Sequence, residues 1–192
     1  LFRSKQCNDI IQQNSELLLK LINDVIDLSS LEIGKMTFKF KICDAVGLCR
    51  NVIDMVEKIK QTHADVRFST PLDSLELLTD SARLQQVLIN LLINATKFTS
   101  QGSITLQLEQ QTEDTALFSV TDTGTGIPKE KQKKIFNRFE KLGGHKNGTG
   151  LGLAICKELI EAMSGSIGYE SQEHLGSTFW FELPIASQVV KE

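Results

Sequence analysis

Ser81-Ala-Arg83-Leu-Gln-Gln86-Val-Leu-Ile-Asn90-Leu-Leu-Ile-Asn94-Ala-Thr-Lys97-Phe98 runs without proline or glycine and follows Asp80, a good helix cap. Wound at about 100° per residue, Arg83, Gln86, Asn90, Asn94 and Lys97 fall in one narrow stripe. Nearly everything else is apolar: Leu84, Val87, Leu88, Ile89, Leu91, Leu92, Ile93 and Ala95. A surface helix carries a broad polar face. Here the polar stripe is flanked by Ile and Val, so its amides and its ammonium group need partners, and each buried polar group left unsatisfied costs about 1–3 kcal/mol. A ligand or metal ion in a cavity would supply them. Two amide oxygens one turn apart suit a hard cation that keeps several waters, as Mg²⁺ does, and Lys97 adds a point charge for phosphate. A ligand-free network of buried amides fits the same pattern, and this helix alone leaves both readings open.

Two further segments carry chemistry. In Val120-Thr-Asp122-Thr-Gly124-Thr-Gly126-Ile127-Pro128, the residues Phe118 and Val120 alternate on one strand face that Asp122 continues. A carboxylate there is costly unless something donates to it. The exocyclic amine of adenine is one donor, and local backbone N–H groups in a tight turn are another. Gly124 and Gly126 permit close approach of a planar base or positive φ. In Asn147-Gly148-Thr149-Gly150-Leu151-Gly152-Leu153-Ala154, glycines at every second position open a helix. That arrangement frees N–H groups to face an anion at a helix N-terminus, or makes a hinge. It is neither a P-loop, since no GxxxxGK[ST] occurs, nor a dinucleotide fingerprint, since no strand leads into it.

The remaining pattern organises the chain. From residue 4 to residue 33 there is no proline or glycine, and Ile11, Leu18, Leu21, Val25 and Leu28, with Asn14 in the one polar slot, alternate in steps of three and four. Ile10, Leu17, Ile22 and Ile26 widen the stripe, as for a helix buried on more than one side in a four-helix bundle. Such a helix needs partners, which favours oligomerisation. Gly34 is its expected stop. Residues 36–43 alternate like a strand, Asp44 caps a helix to about Thr62, and strands are expected at 66–69 and 75–79. After the 81–98 helix come strands at 103–110 and 115–122, a loop over 123–150 with a short helix near 131–139, a helix at 151–163, and strands at 166–170 and 178–183. Phe136 and Phe139 are expected to plug one face of that short helix into the core and anchor a mobile lid. The mixed order predicts helices layered on one face of a mostly antiparallel sheet.

Bulk properties narrow the classes. With 192 residues, 41% hydrophobic, the chain can bury a core. A net charge of −3 gives no basic footprint for nucleic acid, and the lysines between Lys129 and Lys134 read as a solvated helix face. Cys7, Cys43, Cys49 and Cys156 lack zinc-ligand spacing and suit a reducing cytosol. No apolar run approaches the ~20 residues of a membrane helix, and no signal-peptide pattern is present, so no membrane contact is expected from this chain. Starting at Leu1 within helical sequence, it reads as an excised piece.

The order of the segments resembles the sensor histidine kinases of two-component systems, within the GHKL ATPase superfamily. Asn90-Leu-Leu-Ile-Asn94-Ala-Thr-Lys97-Phe98-Thr99 resembles their N box, Asp122-Thr-Gly-Thr-Gly126 the G1 box, Phe136-Asn-Arg-Phe139 the F box, Gly148-Thr-Gly-Leu-Gly152-Leu the G2 box, and Gly176-Ser-Thr-Phe-Trp-Phe the final glycine box. Asn14 to Lys35, with Asp24 and Asp27, resembles the second helix of the dimerisation and phosphotransfer hairpin. The resemblance implies an α/β fold: a two-layer sandwich of Bergerat type preceded by a long helix, with residues 1–35 as the hairpin helix, 36–186 as the catalytic ATP-binding domain and 187–192 as a tail. It implies ATP and Mg²⁺ as cofactors. Asn94 and Asn90 would serve the metal, and Asn94 and Lys97 the reaction. Lys97 would contact the phosphates, Phe98 would border the pocket, and Asp122, Gly124, Gly126 and Ile127 would hold the adenine end. Gly148, Gly150 and Gly152 would shape a lid over the phosphates, and Thr149, Leu151 and, from the last box, Thr178 would also bind the ATP. Lys141, His145 and Lys146 fall in the lid. The implied partners are a phosphoacceptor helix of the parent chain or its dimer mate, and a response-regulator receiver domain. The parent is expected to be a homodimer anchored in the bacterial inner membrane, with this part in the cytoplasm.

One departure bears on activity. The family's acceptor is a histidine followed by an acidic residue on the first hairpin helix. His63, His145 and His174 do not match it, so the chain is expected not to phosphorylate itself at that site. Other ATPases of the superfamily use a Glu base near the metal-binding Asn, and no Glu occurs from Ser81 to Phe98. A non-catalytic nucleotide-binding scaffold is the remaining alternative, and the intact key residue types of all five boxes weigh against it.

Overall fold

The computed structural model describes residues 15, 18–19, 21–140 and 149–185. Helix α1, of which residues 21–32 are continuous, ends as expected at Gly34. The N–H of Gly34 bonds to Leu31 O and that of Lys35 to Ser30 O, with Gly34 at φ +63°. This is a Schellman stop, which satisfies the last carbonyls of the helix and suits a glycine.

β1 (Lys41–Asp44) pairs antiparallel with β3 (Glu76–Thr79) as a separate two-stranded ribbon. Between them lie α2 (Ala45–Ile59) and β2 (Asp65–Ser69). Next come α3 (Ser81–Phe98), β4 (Ser103–Thr112), β5 (Thr115–Asp122), the one-turn α4 (Lys129–Gln132), α5 (Gly152–Ala162), β6 (Ser166–Gln172) and β7 (Gly176–Pro184). The main sheet has the order β2-β4-β5-β7-β6, in which only β2–β4 is parallel.

Alternation explains the layering. Ala116, Phe118, Val120 and Asp122 of β5 point to one face with Ile104, Leu106 and Leu108 of β4 and Phe179, Phe181 and Leu183 of β7. Phe118 and Phe181, opposite one another in register, stack at 4.7 Å. One apolar face is the mark of a sheet covered on one side. The cover is α2, α3 and α5, with α3 in contact with both of the others. Leu84, Val87, Leu88, Leu91, Leu92 and Ala95 form the buried stripe of α3 at helical spacing.

Helices α2 and α3 both start on aspartate. Asp44 accepts from the N–H groups of Val46 and Gly47, and Asp80 from those of Ala82 and Arg83. Asp80 Oδ2 also accepts from Lys39 N at 2.8 Å, which fastens the chain entering β1 to the start of α3.

Several expectations need correction. Residues 36–40 are not a strand: β3 offers four residues to pair, and these match Lys41–Asp44. Phe38 packs against the core instead and stacks on Phe40. The short helix begins at Lys129, after Pro128, and lasts one turn rather than spanning 131–139. Phe136 does reach the core and meets Tyr169 edge-on, but Phe139, at φ 61°, is 66% exposed. The stripe on the first helix is as expected for a helix whose partners lie outside this chain: Leu28 is buried, whereas Leu18 and Val25 are exposed. The part before residue 15 and the lid residues 141–148 lie outside the described residues.

Asp80→Ala removes both the cap and the Lys39 link. It should lower stability by about 1–2 kcal/mol, read as a shift of the urea midpoint at unchanged slope.

Candidate functional site

The C-terminal end of α3 meets the end of β5. The N–H of Thr125 donates to Phe98 O at 3.1 Å, and Thr99 Oγ1 donates to Asp122 Oδ1 at 3.3 Å. Gly124 N donates to the same oxygen at 2.8 Å. A Cβ on Gly124 would lie 2.4 Å from Phe98 O and 2.8 Å from Asp122 Oδ1, so the turn can sit this close only as glycine. Gly126 has φ +62°, and a Cβ there would strike Gln172 O. Both glycines are thus demanded by the protein's own packing, before any ligand is considered. Ile127 follows, buried, with its N–H on Ser171 Oγ at 2.9 Å.

Asp122 is 6% exposed. Burial pushes its carboxyl above the usual range, against the opposing pull of the Gly124 N–H, the Thr99 hydroxyl and the Ser177 N–H. It is a carboxylate with local donors, as one of the two sequence readings holds, set at the end of an apolar strand face.

Asn90 and Asn94 lie one turn apart on the half-buried side of α3, with Lys97 and Phe98 at its end. The N-terminus of α5 approaches them: a Cβ on Gly152 would stand 3.7–3.9 Å from the Asn90 amide. Thr149 and Leu151 are buried beside it, and Gly150 takes φ +73°. Gly148, Lys141, His145 and Lys146 lie outside the described residues.

Three calls change. Arg83 and Gln86 do not face the space beside Asn90 and Asn94. Arg83 Nη1 lies 3.2 and 3.3 Å from the Asp27 oxygens, and Gln86 Nε2 donates to Asp27 Oδ2 at 2.9 Å. Helix α1 therefore satisfies that half of the polar stripe. Thr178 is registered with Thr121, hydroxyl to hydroxyl at 3.0 Å, on the sheet face opposite Asp122. Its neighbour Ser177 stands opposite Asp122 and is 7% exposed. Strand parity puts Ser177, and not Thr178, on the face that carries Asp122. The contacts of Asp24 and Asp27 with the catalytic side are not announced by residue spacing, although the pair shares a helix face with Leu28 and Leu31 and interrupts an apolar pattern. His63 and His174 are both exposed.

Residues 79–187 match the model of the histidine kinase-, DNA gyrase B-, and HSP90-like ATPase. The chain belongs to that family. Within it, the likeness is to histidine kinases. The chain is 36% identical over 194 residues to the sensory/regulatory protein RpfC of Xanthomonas campestris pv. campestris, covering 95% of this chain and 27% of that protein. It aligns with a catalytic domain of histidine kinase ThkA at TM-score 0.68 and 36% identity, over 77% of this chain and 96% of that one. Full-length ShkA in complex with AMPPNP matches at TM-score 0.78 and 31% identity, over 91% of this chain and 37% of that chain. ThkA in complex with the response regulator protein TrrA matches at 0.73 and 30%, over 92% and 50%. The chain thus carries the ATP-binding catalytic domain of a histidine kinase, the class used in two-component signalling. It spans about a quarter of the length of the curated relatives it matches.

The raised carboxyl of Asp122 fixes a sign. With the folded-state pKa above the unfolded one, protonation favours the fold, so the ionised group costs stability at neutral pH. That cost is relieved as pH falls through the raised pKa towards the ordinary carboxylate range. Asp122→Asn keeps an oxygen for Gly124 and Thr99. It should melt above the unsubstituted protein at pH 7, and the gap should close on acidification through that window. A gap that widened would reverse the assignment.

Proposed function

We propose that this chain binds Mg²⁺-ATP between α3, the 122–127 turn and the N-terminus of α5, and offers the γ-phosphoryl to a histidine on a helix outside its catalytic domain. The observation that carries this is the buried carboxylate of Asp122, held at the end of a strand beside the polar flank of α3. Asp122 accepts from the adenine amine, with Gly124, Gly126, Ile127 and Ser177 (in place of Thr178) shaping that end and Phe98 bordering it. Lys97 contacts the phosphates. Thr149, Gly150, Leu151 and Gly152 line the phosphate end, where the N-terminus of α5 favours negative charge.

The donor set fits Mg²⁺. Among the described residues, no group of three or more His, Cys, Asp and Glu is placed to hold a metal. Asn90 and Asn94 offer amide oxygens instead. Mg²⁺ takes few protein ligands and shares the substrate's phosphates, and when bound it screens the charge on the transferring group. The protein's own task is positioning: the adenine end is fixed at Asp122, and the phosphates are fixed by Lys97 and the α5 N-terminus.

Residues 1–35 are proposed as the second helix of a dimerisation hairpin, 36–186 as the catalytic domain and 187–192 as a tail. On α1 the residues Leu18, Leu19, Ile22, Val25, Ile26 and Ile33 are all exposed. That apolar side supports a homodimeric bundle in the parent protein. A response-regulator receiver is the proposed phosphoryl acceptor downstream. No helix among the described residues is long and apolar enough to cross a membrane. The proposal places this part in the cytoplasm of a bacterial parent anchored in the inner membrane.

Calorimetry with a non-hydrolysable ATP analogue tests the site. Binding should strengthen with Mg²⁺, and Asp122→Ala should weaken it by about tenfold or more, the loss of one charged hydrogen bond. Asn94→Ala should remove most of the Mg²⁺ dependence. Incubated with ATP, the chain should form no phosphohistidine alone and should label an added acceptor hairpin. Steady ATP turnover without an acceptor would instead favour an ATPase of the same family, and absence of binding would favour a scaffold.

A further inference from the structure

The loop proposed for the phosphates is engaged by α1. Thr149 Oγ1 donates to Asp24 Oδ2 at 2.9 Å, and the two residues are 8% and 5% exposed. The same hydroxyl oxygen accepts the N–H of Leu151 at 3.2 Å, at the entry to α5. A hydroxyl has one proton to donate. Given to Asp24, it is withheld from a phosphate, and a carboxylate stands beside the anion site where water screens charge poorly.

Asp24 belongs to a docked face. Asp27, Leu28 and Leu31 follow it at helical spacing. Asp27 takes Arg83 and Gln86, Leu28 is buried, and Leu31 packs on the core. Further along, Glu32 pairs with Arg138, which also faces Glu158 of α5. The helix is therefore joined to the catalytic side at the Gly-rich loop, at the start of α3 and behind α4.

We propose that α1 and the nucleotide compete for the Gly-rich loop: Asp24 and a phosphate oxygen are alternative acceptors for the Thr149 hydroxyl, so nucleotide binding loosens α1 and docked α1 weakens nucleotide binding. The inference rests on the ATP reading above and adds a coupling between that site and the helix. A buried carboxylate deprived of its donor is unfavourable where it stands, so the helix must shift when Thr149 turns to a phosphate. Linkage makes the effect reciprocal.

The test uses the whole chain with a non-hydrolysable ATP analogue and Mg²⁺. Hydrogen exchange of residues 21–32 should speed up when the analogue binds. Asp24→Ala should bind the analogue roughly fivefold tighter or more. Asp27→Ala, which loosens α1 without touching Thr149, should also bind more tightly. If the unsubstituted chain binds the analogue but exchange in 21–32 is unchanged, or Asp24→Ala binds no tighter, the competition is overturned and the ATP site stands. A tighter Asp24→Ala beside an unchanged Asp27→Ala would confine the effect to the loop and overturn the coupling to the helix. No binding by the unsubstituted chain removes the ATP reading and the competition together.

Discussion

A carboxylate buried at the end of an apolar strand face has to be given donors, and the site is arranged around meeting that requirement. Asp122 takes them from three places: the turn that follows β5, the residue that caps the C-terminus of α3, and β7. To deliver Thr99, α3 must end beside β5, and the Phe98 carbonyl then receives Thr125. That contact leaves no room for a side chain at Gly124. With its end fixed, the rotation of α3 is fixed too, because Leu84, Val87, Leu88, Leu91, Leu92 and Ala95 face the sheet. Asn90 and Asn94 are carried to the other side, where Gly152 brings α5 against the first of them. At the proposed adenine end, a ligand donor would offset the electrostatic cost at Asp122, and such costs are common at functional sites.

Long periodic segments were the legible part. The ends of α3 and β5 could be read from Asp80, from the 3.6-residue stripe and from strict alternation, since each position repeats the same constraint. Short pieces were harder. Residues 36–40 alternate like a strand, yet a strand is as long as its partner, and β3 is short. The one-turn α4 is set by Pro128 and by the tertiary bond from Tyr169 Oη to Gln132 O, which no local pattern announces. At the candidate site, Asn90, Asn94, Asp122 and the glycines stand out in the sequence because their residue types are costly where they stand. Choosing between Ser177 and Thr178 needed the β5–β7 register, because a step of one residue changes the face. The polar stripe of α3 misled in one respect: it has two customers, and residue spacing does not say that Arg83 and Gln86 turn to another helix.

The contacts of α1 differ in weight. Arg138 with Glu32 and Glu158 is an exposed cluster, worth about 0–1 kcal/mol per pair. Arg83 with Asp27 is better sheltered and reinforced by Gln86. The Asp24–Thr149 bond is the most deeply buried of the three. Of the three contacts, the better sheltered ones are those made by Asp24 and Asp27, farther from the Schellman stop than Glu32.

That stop marks a tempting place to cut. Gly34 ends one element cleanly and reads as a border between modules, so a protein engineer grafting a foreign sensor or hairpin would choose it as the splice point. The bonds described for α1 cross that border. A graft made at Gly34 exchanges Asp24 and Asp27 for whatever the donor helix carries, while Thr149, Arg83 and Gln86 stay behind. The natural unit of exchange is the catalytic domain together with the docked face of its helix, and only the opposite face of that helix is free to be rewritten to suit a new partner.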